Sequence, residues 1–160
     1  MSYSSSQLPL YLYLLRSKSS KGFTLIELLV TIIIIGILSS LALPSMLQQS
    51  LKAKQSAAKS YIGAVNRAQQ TYRLEHEVFA SDMTELKADI PLTTENYTYS
   101  FGLATTTLAE FRATPTNDLL NAFSGCTYVE VLIGNNSKTR ADIKEQAAAG
   151  SGTPATPPNC

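Results

Sequence analysis

The chain has 160 residues, 13 Lys+Arg against 12 Asp+Glu, and a formal net charge of +1. That length holds one small domain plus one membrane segment. Residues 1–22 carry Arg16, Lys18 and Lys21 and no acid, so the rest holds 10 basic and 12 acidic side chains; with no strong basic field in the body, charge gives no case for a dedicated nucleic-acid-binding domain.

The first element is an apolar run, Phe23–Leu43, of 21 residues. As a helix rising about 1.5 Å per residue it covers about 30 Å, one hydrocarbon core. The basic segment before it has the placement that the positive-inside rule gives to a flank kept in the cytoplasm. A secretory signal peptide or a buried soluble helix is the competing reading. A signal needs an apolar stretch of only about 7–15 residues and a small-residue cleavage site, which only Ser40-Leu41-Ala42 imitates. The earlier stretch Leu8–Leu15 is too short to span and contains Pro9. Inside the run stands one carboxylate, Glu27. A charge at the centre of a membrane helix costs roughly 2.5–3.5 kcal/mol on insertion scales, so this one calls for a partner.

Past Pro44, apolar residues recur at Leu47, Leu51, Ala58, Ile62, Val65, Ala68 and Tyr72, a helical stripe. Lys52, Gln55, Lys59, Asn66, Arg67, Gln70 and Arg73 fall mostly on the other side. The stripe predicts packing against a globular head, and Phe23–Leu74 together make one helix of 52 residues, roughly 78 Å long. Pro44 lies inside it and predicts a kink; Gly36, Ser39 and Ser40 lower helix propensity just upstream.

After Phe79, Asp82 followed by Glu85 has the pattern of a short capped helix. Three strand-like runs follow. Tyr97, Tyr99, Phe101 and Leu103 alternate within 96–103; Ala109, Phe111 and Ala113 alternate with Glu110 and Arg112 within 108–114; Val129, Val131 and Ile133 alternate within 126–133. Period two with aromatic and β-branched content predicts an antiparallel sheet with one face on the helix stripe. Residues 104–107 form the first hairpin connection and 115–124 a longer link. The fold class is α+β, a small antiparallel sheet head on a long N-terminal helical spine.

The two cysteines, Cys126 and Cys160, are either free thiols or a bridge between positions 34 apart. In the chain-entropy model a bridge contributes about 3–4 kcal/mol. It would tie down Ala147–Asn159, a run rich in Ala, Gly, Ser, Thr and Pro that cannot pack by itself. The single histidine, His76, lies between Glu75 and Glu77; adjacent helix positions point apart, which makes a poor metal site and a good solvated helix end. No phosphate loop, zinc spacing or nucleophile motif occurs, so neither a cofactor, a metal nor an enzymatic activity is expected. Asn96-Tyr97-Thr98 and Asn135-Asn136-Ser137 match the N-glycan acceptor pattern, and Thr105–Thr107 and the Thr/Pro/Ser-rich tail suit O-glycans by composition alone.

Lys21-Gly22-Phe23-Thr24-Leu25-Ile26-Glu27 resembles the processing site of type IV pilins, prepilins with a class III leader. Gly36, Ala42-Leu43-Pro44, Lys52–Lys59 and Asn66–Gln70 extend the resemblance, and the last two resemble the type IV pilin-like G/H branch. The likeness is close from Lys21 to about Phe79 and thins beyond. It implies a leader, 1–22, removed by prepilin peptidase between Gly22 and Phe23; N-methylation of the new Phe23 amine; a membrane and filament-core helix, 23–43; its amphipathic half, 44–74; and a globular head, 75–160. In an assembling filament Glu27 would neutralise the Phe23 amine of a neighbouring subunit, since two costly charges become tolerable as a pair. Gly36–Pro44 would lose helicity in the fibre. A Cys126–Cys160 disulfide would bound a C-terminal region exposed on the filament. The 22-residue leader is longer than is typical of the type IVa class, which Phe23 otherwise favours.

The implied function is that of a structural subunit, a self-partnering helical homopolymer made by an assembly platform with minor pilins, for motility, adhesion or DNA uptake. It would sit in the inner membrane as a single-pass precursor and then in an extracellular pilus, meeting nucleic acid only through the assembled fibre. The alternatives are a minor pilin or type II secretion pseudopilin, and a membrane-tethered enzyme or binding module.

Overall fold

A computed structural model describes residues 22–131 and 137–160. Its elements in chain order are helix α1 (Leu25–His76), helix α2 (Met83–Leu86) and strands β1 (Tyr97–Ala104), β2 (Leu108–Pro115), β3 (Ala122–Val131) and β4 (Ser137–Gln146). The chain divides into two units between Leu43 and Pro44. Residues 1–21 of the expected leader, the predicted strand end Leu132–Ile133 and Asn135 of the second N-glycan pattern lie outside the described residues.

In the first unit every described residue is solvent-exposed, although the segment has a mean hydropathy of 2.5 over its most apolar window. Among the described residues of this unit, none buries a face of the helix. Two of its hydroxyls are satisfied locally: Thr31 Oγ1 donates to the Leu28 carbonyl at 2.8 Å and Ser40 Oγ to the Ile37 carbonyl at 2.7 Å. That is what a helix in hydrocarbon requires, where no water can serve an orphaned polar group.

In the second unit the four strands form one antiparallel sheet in the order β1-β2-β3-β4. Its inner face packs on α1 through a core of Ala58, Ile62 and Val65 from the helix with Tyr97, Tyr99, Phe111, Ala113, Leu120 and Phe123. The aromatic side chains meet one another, Tyr61 edge-on to Tyr99 and Phe101 edge-on to Phe111, at 5.5 and 5.1 Å between ring centroids, in the geometry that aromatic quadrupoles favour. The α+β fold class and the helix-on-sheet packing are thus as expected.

Several details differ from the sequence expectations. The helix runs Leu25–His76 rather than from Phe23 to Leu74, because Thr24 caps its start. Leu47 of the expected stripe is exposed, whereas Asn66, placed on the polar side, is buried. Asn66 Nδ2 donates to the Asp142 carbonyl of β4 at 3.2 Å. The neighbouring buried Gln69 holds both the N–H and the carbonyl of Ala80, at 2.9 and 2.8 Å. Helix periodicity is read from apolar residues, and a buried amide that satisfies backbone groups is invisible to it.

Leu103 was expected to point inward with Tyr97, Tyr99 and Phe101, yet it is exposed. The β1–β2 register shifts between Phe101 and Ala104, and a one-residue shift turns a side chain to the other face. Val131 is likewise exposed, not inward, since β3 enters the core through its first half, around Phe123. The sheet has four strands rather than three, and the link expected over 115–124 shrinks to 116–121. The strand that sequence reading missed, β4, is nearly all polar and exposed, the charged composition by which edge strands resist unwanted pairing. Cys126 is therefore in the middle of the third strand, not at the start of the last.

Gly125 explains why the start of β3 was not legible. A side-chain carbon there would collide with Ile62 Cγ2 and lie 2.5 Å from Asn66 Oδ1, so the glycine sets the spacing between β3 and α1. Gly125→Val is expected to destabilise this unit by about 1–3 kcal/mol through overpacking, read as a lowered unfolding midpoint. Ile62→Ala in the same chain should recover part of that loss. An unchanged midpoint in the single variant would show that the gap is not required.

Candidate processing and assembly site

The residues with a claim to function at the N-terminal end lie just before and inside the first turn of α1. Gly22 and Phe23 precede the helix and are exposed, and a side-chain carbon built on Gly22 meets no atom within 4 Å. The peptide between them is open to a protease. Thr24 follows as the N-cap: Glu27 N–H donates to Thr24 Oγ1 at 3.2 Å, and Leu28 N–H to the Thr24 carbonyl at 3.2 Å. Thr24-Leu25-Ile26-Glu27 is thus a capping-box sequence, a signal that was available in the sequence and went unused.

This gives Glu27 a local role beside the expected one. A carboxylate in the first turn is favoured by the partial positive charge at the helix N-terminus. The box is not closed, however: no side-chain bond from Glu27 back to the Thr24 N–H is present, and Glu27 makes no ion pair among the described residues. The carboxylate projects, solvated, from an otherwise apolar helix. The sequence brings Phe23 and Glu27 to the same helix end; Gly36 and Pro44 lie further along inside α1, which is helical across both.

At the other end of the chain, Cys126 and Cys160 are joined by a disulfide, with their Cα atoms 5.6 Å apart. The bridge fixes the last segment over the outer face of the sheet. There Cys160 N–H donates to Glu110 Oε1 at 3.1 Å, Arg112 Nη2 to Asn159 Oδ1 at 2.8 Å, and Lys144 Nζ to the carbonyls of Asn159 and Cys160 at 3.1 and 2.9 Å. Upstream, the segment's Gly152 N–H donates to Asp118 Oδ2 at 2.9 Å. Glu110 is 4% exposed and also pairs with Arg112 at 2.8 Å. Sequence reading had it only as a polar position in an alternating strand; nothing in that pattern says that the terminal segment covers it.

Elsewhere the titratable groups read as structural. Burial pushes the Tyr97 phenol well up from its ordinary value, and its hydroxyl donates to the Asn121 carbonyl at 2.8 Å. Hydrogen bonds from Lys59 and then Asn121 hold the Glu145 carboxyl below the usual carboxylate range. A folded value below the unfolded one means that this pair adds stability above the unfolded carboxylate pKa and loses it as pH falls through the folded value; at this exposure the amount is small. His76 Nδ1 lies 3.2 Å from the Tyr72 carbonyl, and its ring stacks on Tyr72. Among the described residues no group of three His, Cys, Asp or Glu side chains is placed to hold a metal.

Two family models match the chain. The type IV pilin-like G and H model covers residues 55–159, and the prokaryotic N-terminal methylation motif covers residues 17–43. The chain is similar to the type II secretion system core protein G of Pseudomonas aeruginosa, 33% identical over 51% of this chain and 58% of that protein. It is 36% identical to the type IV major pilin protein PilA of Myxococcus xanthus over 42% of this chain and 30% of that protein. With the type IV wide pilus major component PilA4 of Thermus thermophilus it shares 31% identity over 52% of this chain and 64% of that protein. The matched stretches span less than two thirds of each relative's length.

Proposed function

We propose, from the premise that this chain belongs to the type IV pilin-like G and H family, that it is the structural subunit of a type IV pilus. The observation that carries the reading is the stretch 22–50, apolar over most of its length, exposed among the described residues, and interrupted by one carboxylate near its start, Glu27, that makes no ion pair among them. Such a surface has two stable settings, a lipid bilayer and a bundle of identical helices, and a pilin occupies them in turn.

In this reading residues 1–22 are the leader, prepilin peptidase cuts between Gly22 and Phe23, and the Phe23 amine is methylated. The methylation motif over 17–43 and the open Gly22–Phe23 peptide support the position. Residues 23–43 hold the precursor in the inner membrane and later form the filament core; 44–74 carry the head, 75–160, outside. The partners are further copies of the chain, minor pilins, prepilin peptidase and the assembly platform; the product is an extracellular fibre used in motility, adhesion or DNA uptake. The role is structural, not enzymatic. Mass spectrometry of sheared surface fibres tests it: the chain should be abundant, start at Phe23 and carry one added methyl on that amine. Fibres without this chain, or a chain starting elsewhere, would sink the reading.

The second reading is a minor pilin or a type II secretion pseudopilin, favoured by the similarity to core protein G from several bacteria. It shares the N-terminal logic and differs in abundance, since a major pilin dominates the sheared material. For Gly36–Pro44, helical here, we expect loss of helix in the filament: Pro44 removes one backbone donor and Gly36 lowers helix propensity, so this is the weakest part of the span. A filament density map with unbroken helix across it would refute that.

A further inference from the structure

Cys126 stands in the middle of a row across the outer face of the sheet. Its direct cross-strand partners are Glu110 on β2 and Asp142 on β4, and such partners have Cβ atoms about 4.5–5.5 Å apart. Two carboxylates therefore flank one sulfur. The basic groups of this face sit one pair further along: Arg112 and Lys144 oppose Ser124, and Arg140 opposes Tyr128. Diagonal neighbours of that kind are about 7–8 Å away. Each is also engaged elsewhere, Arg112 with Glu110 and Asn159, Lys144 with the carbonyls of Asn159 and Cys160, and Arg140 with Glu130. The two cysteines differ in access as well. Cys126 is 2% exposed, whereas Cys160, at the end of the terminal arm, is exposed. Both line an open hollow of about 410 Å³ together with Leu108, Tyr128, Asp142 and Lys144, so a small reagent entering from solvent meets Cys160 first.

Thiol–disulfide exchange runs through a thiolate, and the sulfur that carries negative charge more easily leaves faster. A thiolate at Cys126 is repelled from both sides, at a separation where the Coulomb energy exceeds that of the diagonal cations. A thiolate at Cys160 stands on an arm that an open bridge no longer ties down, and water solvates it. We propose that Cys160 is the exchange-reactive sulfur of this protein, the acceptor for a small disulfide donor, and that Cys126 is its resolving thiol, held protonated between Glu110 and Asp142. Closure then has a fixed order. The Cys160 thiolate attacks the donor, forming a mixed disulfide on Cys160 and releasing one half of the donor as a thiolate. Cys126 then gives its proton to solvent, attacks Cys160 Sγ and expels the other half. Two protein thiols are oxidised and one donor disulfide is reduced to two thiols. In the reverse direction, an outside thiolate that attacks Cys160 must expel Cys126 as a thiolate between two carboxylates. The bridge therefore closes from its exposed end and is slow to reopen, which keeps the arm latched where thiols are present.

The test uses the full chain in detergent. C126S and C160S, each with a single thiol, are treated with bis(2-hydroxyethyl) disulfide, an uncharged donor, and the adduct is followed by intact mass across a pH series. C126S should load at least about tenfold faster than C160S at neutral pH. Adding D142N to C160S should raise its rate at least about threefold and move its pH profile to lower pH, while D142N in C126S changes nothing. Asparagine keeps the bond that Asp142 Oδ1 accepts from the Ile143 N–H, so the variant removes charge alone. Equal loading of the two single-thiol chains overturns the inference, as does a C160S profile that D142N does not move. If C160S does not fold, the bridged chain decides. Cysteamine, whose thiolate form carries no net charge, should open the bridge of D142N at least about threefold faster than that of the parent, and equal rates overturn the proposal.

Discussion

A chain carrying Glu27→Val is expected to enter the membrane and accumulate there, yet to yield sheared filaments reduced by two to three orders of magnitude. Removing the carboxylate takes the one charge out of an apolar helix, so insertion becomes easier. Assembly suffers for the opposite reason. In the filament core the Phe23 amine of the neighbour would be left desolvated and unpaired, and breaking a buried pair from one side costs about 3–5 kcal/mol, which at 1.4 kcal/mol per decade is the stated loss. The competing explanation is that the Glu27 side chain merely starts the helix, by closing over the Thr24 N–H the capping box that stands open here. Glu27→Gln separates the two: glutamine serves in a capping box as well as glutamate does, but carries no charge. Both variants should fail to assemble if the charge matters; a Gln variant with normal pili and a Val variant without them would assign Glu27 to helix capping. A bulky residue at Gly22 blocks a different step and should leave uncut precursor in the membrane.

The N-terminal half of the molecule was legible because its constraints are one-dimensional. A bilayer-length apolar run, one charge within it and a stripe at helical spacing each follow from local sequence, and the helix end was misplaced by only two residues, Leu74 against His76. The candidate site rests on equally local sequence, with Gly22, Phe23 and Glu27 all within six positions. The head was read correctly where one strand face is apolar, as at Tyr97 and Tyr99. It was misread where tertiary contact overrules pattern. Gly125 reads as a strand breaker but is the point of closest approach to Ile62 and Asn66; Leu103 is turned outward by a register shift; and β4 has no apolar alternation because only its edge position defines it. Glu110 is the sharpest instance, a buried carboxylate whose cover comes from residues 50 positions away.

That cover is the subject of the second large effect. Replacing Cys126 and Cys160 with Ser is expected to lower the stability of the unit by about 3–4 kcal/mol, the chain-entropy value for a loop of this length, and its unfolding temperature by on the order of 10–20 °C. The terminal segment has little else to hold it. Of residues 147–160 only Ala155 is buried, and the remaining ties are hydrogen bonds donated by Arg112 and Lys144 and accepted by Asp118, Asn121 and Glu110, each contributing about 1 kcal/mol net. Once the covalent link is gone, the entropy of ordering this Gly- and Pro-containing run opposes those bonds at roughly 1–2 kcal/mol per residue, so the segment should detach before the rest unfolds. Detachment would also uncover Glu110 and take away its Cys160 N–H. The double-Ser chain should therefore show two signatures together: a lowered midpoint, and proteolytic trimming confined to residues after Gln146 under conditions where the parent chain stays intact. A lowered midpoint with no early trimming would mean that the bridge acts on the sheet as a whole; early trimming with an unchanged midpoint would mean that the strap is dispensable to it.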